Sequence, residues 1–245
     1  MSQNPLDELR RSVVTLLKEA RPVIEQFKET WKQILPVLQV LVEVFRAFPE
    51  HLRRSLLMLG SHGWYLGPDM PAAEFLELSN AFSNSEKSDA DKLLCKWIDD
   101  HLAEIEALLI DRFPLRNKII GDAFEAHRLG LYSVSIPAFL AQTDGMCQEL
   151  HGVELFKKNK SGKLLIKNKI QKFEISECEE AMLAPLLEPL PIVAGRQERS
   201  SLSNLLNRHA ILHGESVDYG TYENSCRAIS LISYASWALA GIVSA

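Results

Sequence analysis

The chain has 245 residues, with 47% hydrophobic and 24% charged content. That is the composition of a packed globular protein and not of a disordered one, and the length suits one large domain or two small ones. A formal net charge of −5 argues against broad affinity for nucleic acid. Cys95, Cys147, Cys178 and Cys226 are widely spaced and form no CxxC pair, which argues against a disulfide framework or a zinc knuckle and suits a reducing compartment.

In chain order, the opening MSQNPLDELRRSV carries charges through its first turns and has no apolar run. No secretory leader is therefore expected, and the cytoplasm is the expected compartment. From Leu6 to Phe48, apolar residues recur three and four apart (Val13, Leu16, Leu17, Ala20, Ile24, Phe27, Trp31, Ile34, Leu35, Leu38, Leu41). This is the period of amphipathic helices, with Pro22 and Pro36 expected to start, kink or break them. Their long stripe is either core or the seat of a protein partner's helix.

Pro49 to Leu59 reads as a short helix ending in the loop GSHGWYLGPDMP, where His62 and Trp64 are read as structural. Pro71 to Phe82 is a further helix, and Ser83 to Asp91 a polar surface connection. Lys92 to Ile110 is expected to be one helix with Leu93, Leu94, Trp97, Ile98, Leu102, Ile105, Leu108 and Leu109 on its apolar side. Residues 1–110 together form a helical N-terminal region, and 111–245 a second helical domain.

Leu115 to Leu129 is expected to be helical with Pro114 at its start. A second helix runs from Tyr132 to Gly152, with Ser135 as its cap and Pro137 in its first turn. Residues 153–175 form a lysine-rich insertion. Between Lys157 and Lys172 lie seven lysines and no acid, and a small hairpin turning at Ser161–Gly162 is expected. Removing those seven from the 27 basic residues leaves 20 against 32 acids. The segment is either a solvated surface or an electrostatic contact for phosphates; in the second reading Lys157, Lys158, Lys160, Lys163 and Lys167 hold RNA.

Two helices, 197–213 and 222–243, follow Pro185, Pro189 and Pro191. The tail AISLISYASWALAGIVSA is diluted by serines and a tyrosine, so it is expected to be a buried helix, or one covered by a partner subunit, and no membrane span. No strand framework is visible. All-α is the expected class.

One stretch carries candidate chemistry: LNRHAILHGESVDYGT, Leu206 to Thr221. His209 and His213 are four apart and share a helix face, the histidine spacing of HExxH metalloproteases. Ala210 stands where that motif has its glutamate, only Glu215 and Asp218 lie near as a third ligand, and Arg208 would repel a dication. No metal and no cofactor are expected from this stretch. Phosphoryl chemistry fits better. Gly214 is a natural helix stop, so His213 falls in the last turn, where the helix dipole favours an imidazolium suited to acid–base work. Arg208 offers a planar charge for phosphate oxygens. Five residues apart on a helix, the two point about 140° from each other. Local unwinding, or a second copy across a dimer interface, would bring them to one phosphate.

Arg208–His209–x3–His213 resembles the Arg-polar-x3-His form of the Arg-x4–6-His motif of HEPN domains. The resemblance covers roughly Leu115 to Ala245, including YSVSIPAFLAQTDG before the motif and DYGTYENSCRAISLISY after it. It implies a helical bundle of four to five helices, pairing as a homodimer, and in catalytic members a metal-independent endoribonuclease. By position it makes His213 the acid/base, Arg208 the clamp on the transition state and His209 the polar partner orienting them. Asp144 is the match for an acidic residue on the earlier core helix, with Gln142 and Glu149 as less close matches. Glu215 stands where one subgroup has a tyrosine modified by a nucleotidyltransferase, so that regulation is not implied. Family habit suggests phage defence or a toxin as the setting. The alternative is a non-catalytic module of the same fold that binds a nucleotide or a partner.

Overall fold

One helix of this protein is buried around its whole circumference, and the rest of the described fold is arranged to cover it. The computed structural model describes residues 32, 36, 47–68, 70–83, 87–159, 162–196 and 206–243. The chain divides into two compact units, Met1–Pro49 and Glu50–Ala245. The amphipathic helices expected over Leu6 to Phe48 lie almost wholly outside the described residues, as do Lys160, Ser161 and 197–205.

The second unit contains α1 (50–61), α2 (Ala72–Ser83), α3 (Lys87–Asp100) and α4 (Leu102–Arg112). A 3-10 turn at Pro114–Arg116 leads into α5 (Asn117–Arg128) and α6 (Tyr132–His151). After the lysine-rich segment come α7 (Leu165–Ile170) and α8 (Glu177–Leu187), a second 3-10 turn at Pro191–Val193, α9 (Arg208–Leu212) and α10 (Tyr222–Val243). Among the described residues there is no strand, only an isolated antiparallel bridge between Lys158 and Leu164. The fold is all-α.

No residue of α10 from Asn224 to Ala240 is exposed. α6 forms its most extensive interface, and α3, α4 and α8 pack against it as well. Such a helix carries apolar residues on every face. Its buried serines return to the helix's own carbonyls: Ser230 Oγ donates to Arg227 O at 2.8 Å and Ser236 Oγ to Ser233 O at 3.0 Å. Each hydroxyl also accepts from a covering segment, Ser230 Oγ from Tyr65 N at 3.3 Å and Ser236 Oγ from Arg112 Nη1 at 3.0 Å. The apolar tail is thus a buried helix covered by its own chain. No helix among the described residues is long and apolar enough to cross a membrane. Trp64, Leu94, Leu109, Phe124 and Ile229 belong to one core, so helices on both sides of residue 110 share it.

Several expectations need correction. Lys92 to Ile110 is not one helix, because the chain breaks at His101, whose ring stacks on Trp97 with centroids 4.4 Å apart and whose Nδ1 meets Trp97 O at 2.8 Å. The buried face nevertheless keeps its phase across the break, with Leu94, Ile98, Ile105 and Leu109 buried at spacings of four and seven, while Leu93 and Leu108 are exposed. α3 also begins at Lys87, inside the expected polar connection, because Ala90 and Leu94 continue its buried face. Ser135 does not cap α6. Leu131 occupies the cap and Ser135 lies inside the helix, fully buried, within 2.9 Å of Ser225 Oγ. The lysine-rich segment does turn tightly, with Gly162 at φ 79° and Asn159 N bonded to Lys163 O at 2.8 Å. It then enters α7, whose Ile166 and Ile170 are buried four apart. α8 is capped by a reciprocal Ser176–Glu179 box, a pattern the sequence displays.

Phe139 on α6 shows how this core is joined. It is fully buried and meets Phe124 of α5 edge to face, with centroids 5.0 Å apart. Phe139→Ala is expected to lower unfolding free energy by about 3–5 kcal/mol, measured by chemical denaturation. A loss below about 1 kcal/mol would contradict this placement.

Candidate functional site

The site begins with Asn207. Its backbone is extended (φ −128°, ψ 115°), so α9 starts only at Arg208 and the helix expected over 197–213 is not continuous here. Asn207 Oδ1 accepts from Ala210 N at 2.9 Å, while Nδ2 donates to Pro191 O at 2.7 Å and Ala194 O at 3.1 Å. The side chain therefore caps α9 and ties it to the second 3-10 turn. At the other end, His213 follows the last helical residue, and Gly214 takes the left-handed conformation at φ 71°. Glu215 N and Ser216 N then bond back to Ala210 O at 2.8 and 3.0 Å. That closure by glycine is the stop expected from the sequence.

Between those ends the motif is short. Arg208 is the first residue of α9, and its Nη2 donates to Asp144 Oδ2 of α6 at 3.2 Å. Asp144 Oδ1 also accepts from Phe156 N at 3.3 Å, and the guanidinium lies 5.9 Å from the centre of the Phe156 ring. Arg208 Nε is buried without a hydrogen-bond partner. The pair is half-buried to buried, with side chains 21% and 12% exposed. His209 and His213 present parallel rings with centroids 6.0 Å apart, so they do share a face. His213 is exposed. The structure thus joins Arg208 to Asp144 and His209 to His213. Gln142 and Glu149 bind a different arginine: Arg116 Nη1 donates to Gln142 Oε1 at 2.9 Å and Arg116 Nε to Glu149 Oε2 at 2.8 Å.

The lysines are less concentrated in effect than in sequence. Lys157 pairs with Glu154, and Lys167 lies 3.8 Å from Glu188 Oε1. Lys158 stands in the bridge to Leu164, Lys163 is exposed at the turn, and Lys160 is outside the described residues.

A cleft of about 950 Å³ opens on another side of α9, between α3, α9 and the start of α10. Ala210 and Ile211 line it; Arg208, His209 and His213 do not. Arg227 lies in its wall, almost fully buried. It bonds Asp91 Oδ1 at 3.0 Å and Asn224 Oδ1 at 3.1 Å and sits over the Trp64 ring at 5.3 Å. Trp64 Nε1 donates to the same Asp91 oxygen at 2.6 Å, so the His62–Trp64 loop is structural, as expected. Lys92 and Lys96 at the rim are paired with Asp89 and Asp100, leaving the lining acidic in balance.

Compared with family models, with curated proteins and with solved structures, the chain matches none of them. Sequence reasoning missed Asn207, Asp91, Asp99, His127 and Arg227. For Asn207 a signal was present, since asparagine directly before a short helix is a strong cap. For the others the contacts span long stretches of sequence, and no local pattern marks them.

Asn207→Ala removes the cap and strips a partner from two carbonyls. It is expected to cost about 1–3 kcal/mol in thermal or chemical unfolding. A neutral outcome would mean that α9 is held by something other than this side chain.

Proposed function

We propose that the chain is a metal-independent endoribonuclease of HEPN type, acting through Arg208, His209 and His213. One observation carries the reading. Asp144, the α6 residue that the motif resemblance puts forward, is the residue that the Arg208 guanidinium bonds. A clamp needs its charge held in one orientation, and a carboxylate behind it does this while Nη1 is left for phosphate. His213 stands exposed at the end of the same short helix, where a large substrate can reach it.

In this mechanism His213 takes the proton of the ribose 2′-OH as that oxygen attacks phosphorus. Arg208 stabilises the charge that develops on the phosphorane. The 5′ oxygen leaves with the bonding electron pair and takes up a proton, giving a 2′,3′-cyclic phosphate and a 5′-hydroxyl. His209, parallel to His213, orients it. A homodimer places a second motif beside the first and supplements what one short helix presents. The support for pairing is the motif itself, since α10 offers no uncovered apolar face. Lys157, Lys158, Lys160, Lys163 and Lys167 supply the electrostatic hold on RNA, reduced at Lys157 and Lys167 by their acidic neighbours. Phage defence or growth arrest as a toxin, in the cytoplasm, is the setting this reading implies.

The second reading, a non-catalytic module, is favoured by the cleft, which is large enough for a small ligand and lies away from the motif histidine.

Cleavage of RNA is expected to persist in EDTA and to stop when the ribose at the cut site is 2′-deoxy. His213→Ala is expected to slow it by about 10²- to 10⁴-fold, with the fold retained by circular dichroism. Arg208→Ala is expected to cost a further few kcal/mol, on the order of 2–4, of transition-state stabilisation. No cleavage by wild type across diverse RNAs, with both variants indistinguishable from it, would leave the binding module as the reading. Cleavage abolished by EDTA and restored by zinc would place the chemistry on a metal instead.

A further inference from the structure

The floor of the cleft gathers side chains for which the RNA chemistry has no use. Cys95 and Asp99 are four apart on α3 and share one face; Tyr222 and Cys226 are four apart on α10 and meet them. His127 enters from the last turn of α5. An Asp99 carboxylate oxygen, a ring nitrogen of His127 and Cys226 Sγ all lie within 4.8 Å of one another. The Cys95 thiol neighbours that of Cys226 and acts on its ionisation, adding a second sulfur. His127 and Cys226 are buried, whereas Asp99 is exposed at the cleft.

Each donor is also held from behind. His127 Nδ1 lies 2.8 Å from Ser225 Oγ, which lies 2.9 Å from Ser135 Oγ, and this leaves Nε2 facing Asp99 Oδ1 at 4.0 Å. Tyr222 OH donates to Asp99 Oδ2 and leaves Oδ1 turned inward. Secondary hydrogen bonds of this kind fix the rotamer and tautomer of histidine and carboxylate ligands. Burial lowers the His127 pKa against the opposing pull of Asp99, a direction that favours the neutral, ligating form of the imidazole. The Cys226 thiol is raised, first by the neighbouring Cys95 and then by burial; a dication among these groups reverses that effect.

Two other chemistries fit poorly. Ser225, His127 and Asp99 have the order of a nucleophile, base and acid, but Ser225 and Cys226 are wholly buried and admit no substrate. A carboxylate-rich calcium or magnesium site is not what two sulfurs and an imidazole form.

We propose that Asp99, His127 and Cys226, with the neighbouring Cys95 thiol completing the set, form a tetrahedral site for a divalent transition metal of the zinc class at the floor of the cleft. Bonds of about 2.0–2.3 Å put tetrahedral donors roughly 3.3–3.8 Å apart, so Asp99, His127 and Cys226 close on a metal by a contraction of about 1 Å. Binding releases the two thiol protons to solvent, and two thiolates with one carboxylate then balance the dication to a net −1. Asp99 and Cys95 line the cleft, so the metal joins α3, α5 and α10 beneath whatever occupies it. Arg208 and His213 take no part, and the site stands whether or not the chain cleaves RNA.

The test uses full-length, reduced, chelator-stripped protein titrated with Co²⁺ and then Zn²⁺. Wild type is expected to bind one equivalent of cobalt, with thiolate-to-cobalt charge-transfer absorption and the intense visible bands of tetrahedral coordination, both bleached by one equivalent of zinc. Cys226→Ser is expected to lower the charge-transfer absorption by about half or more. Asp99→Asn, at an exposed position that leaves the fold intact by circular dichroism, is expected to weaken binding by at least about tenfold. His213→Ala is expected to bind like wild type. No stoichiometric charge-transfer band in reduced wild type would overturn the proposal. So would a folded Asp99→Asn that binds as tightly as wild type, or an unchanged spectrum in Cys226→Ser.

Discussion

Burial of α10 on every side is the constraint from which the rest of the described structure follows. Each fully buried leucine or isoleucine contributes about 1.5–3 kcal/mol, and α10 carries Ile229, Leu231, Ile232 and Leu239 at full burial. That gain is available only if neighbouring helices cover opposite faces at once. α6 lies along one side and α3 along another. Ser230 and Ser236 on α10 accommodate this because each donates to a carbonyl of its own helix while its oxygen accepts from a covering segment.

The two candidate sites are consequences of that arrangement. α6, held against α10, carries Asp144 to where α9 begins, and the Arg208 guanidinium meets it there. α3, held against another face, brings Cys95 and Asp99 level with the first turns of α10. An ion pair as buried as Arg208–Asp144 adds little net stability, because desolvation of both charges offsets their attraction. Its effect is on orientation. The guanidinium is pinned by the carboxylate, while its Nε is buried and unpaired, as is that of Arg227.

How much the sequence revealed depended on the range over which each feature is determined. α10 was legible from end to end, since a long apolar run with turn signals before it leaves little choice. The stop after His213 was legible because a single glycine at positive φ decides it. The union of α3 and α4 into one helix was misread because the apolar spacing continues through His101, and only its stacking on Trp97 discloses the break. Ser135 shows a different failure. Its type and position suit a cap, but burial against Ser225 outweighs that local preference. α7 was hidden by its lysines, although Ile166 and Ile170 have helical spacing. At the candidate sites, Arg208, His209 and His213 could be found from adjacency alone, and Asp144 from the resemblance. Asp99, His127 and Cys226 could not be found that way, because 28 and 99 residues of chain separate their numbers and only tertiary packing makes them neighbours.

The central claim is that α10 is enclosed by its own chain, which sets both sites. Amide hydrogen exchange by mass spectrometry, followed at several protein concentrations, tests it most directly. The account predicts that peptides spanning Ser225 to Leu239 exchange most slowly of the unit 50–245, through global opening alone, with protection that does not change on dilution. Rapid exchange in those peptides, or protection that appears only as concentration rises, would contradict it and would show α10 to be covered by another molecule.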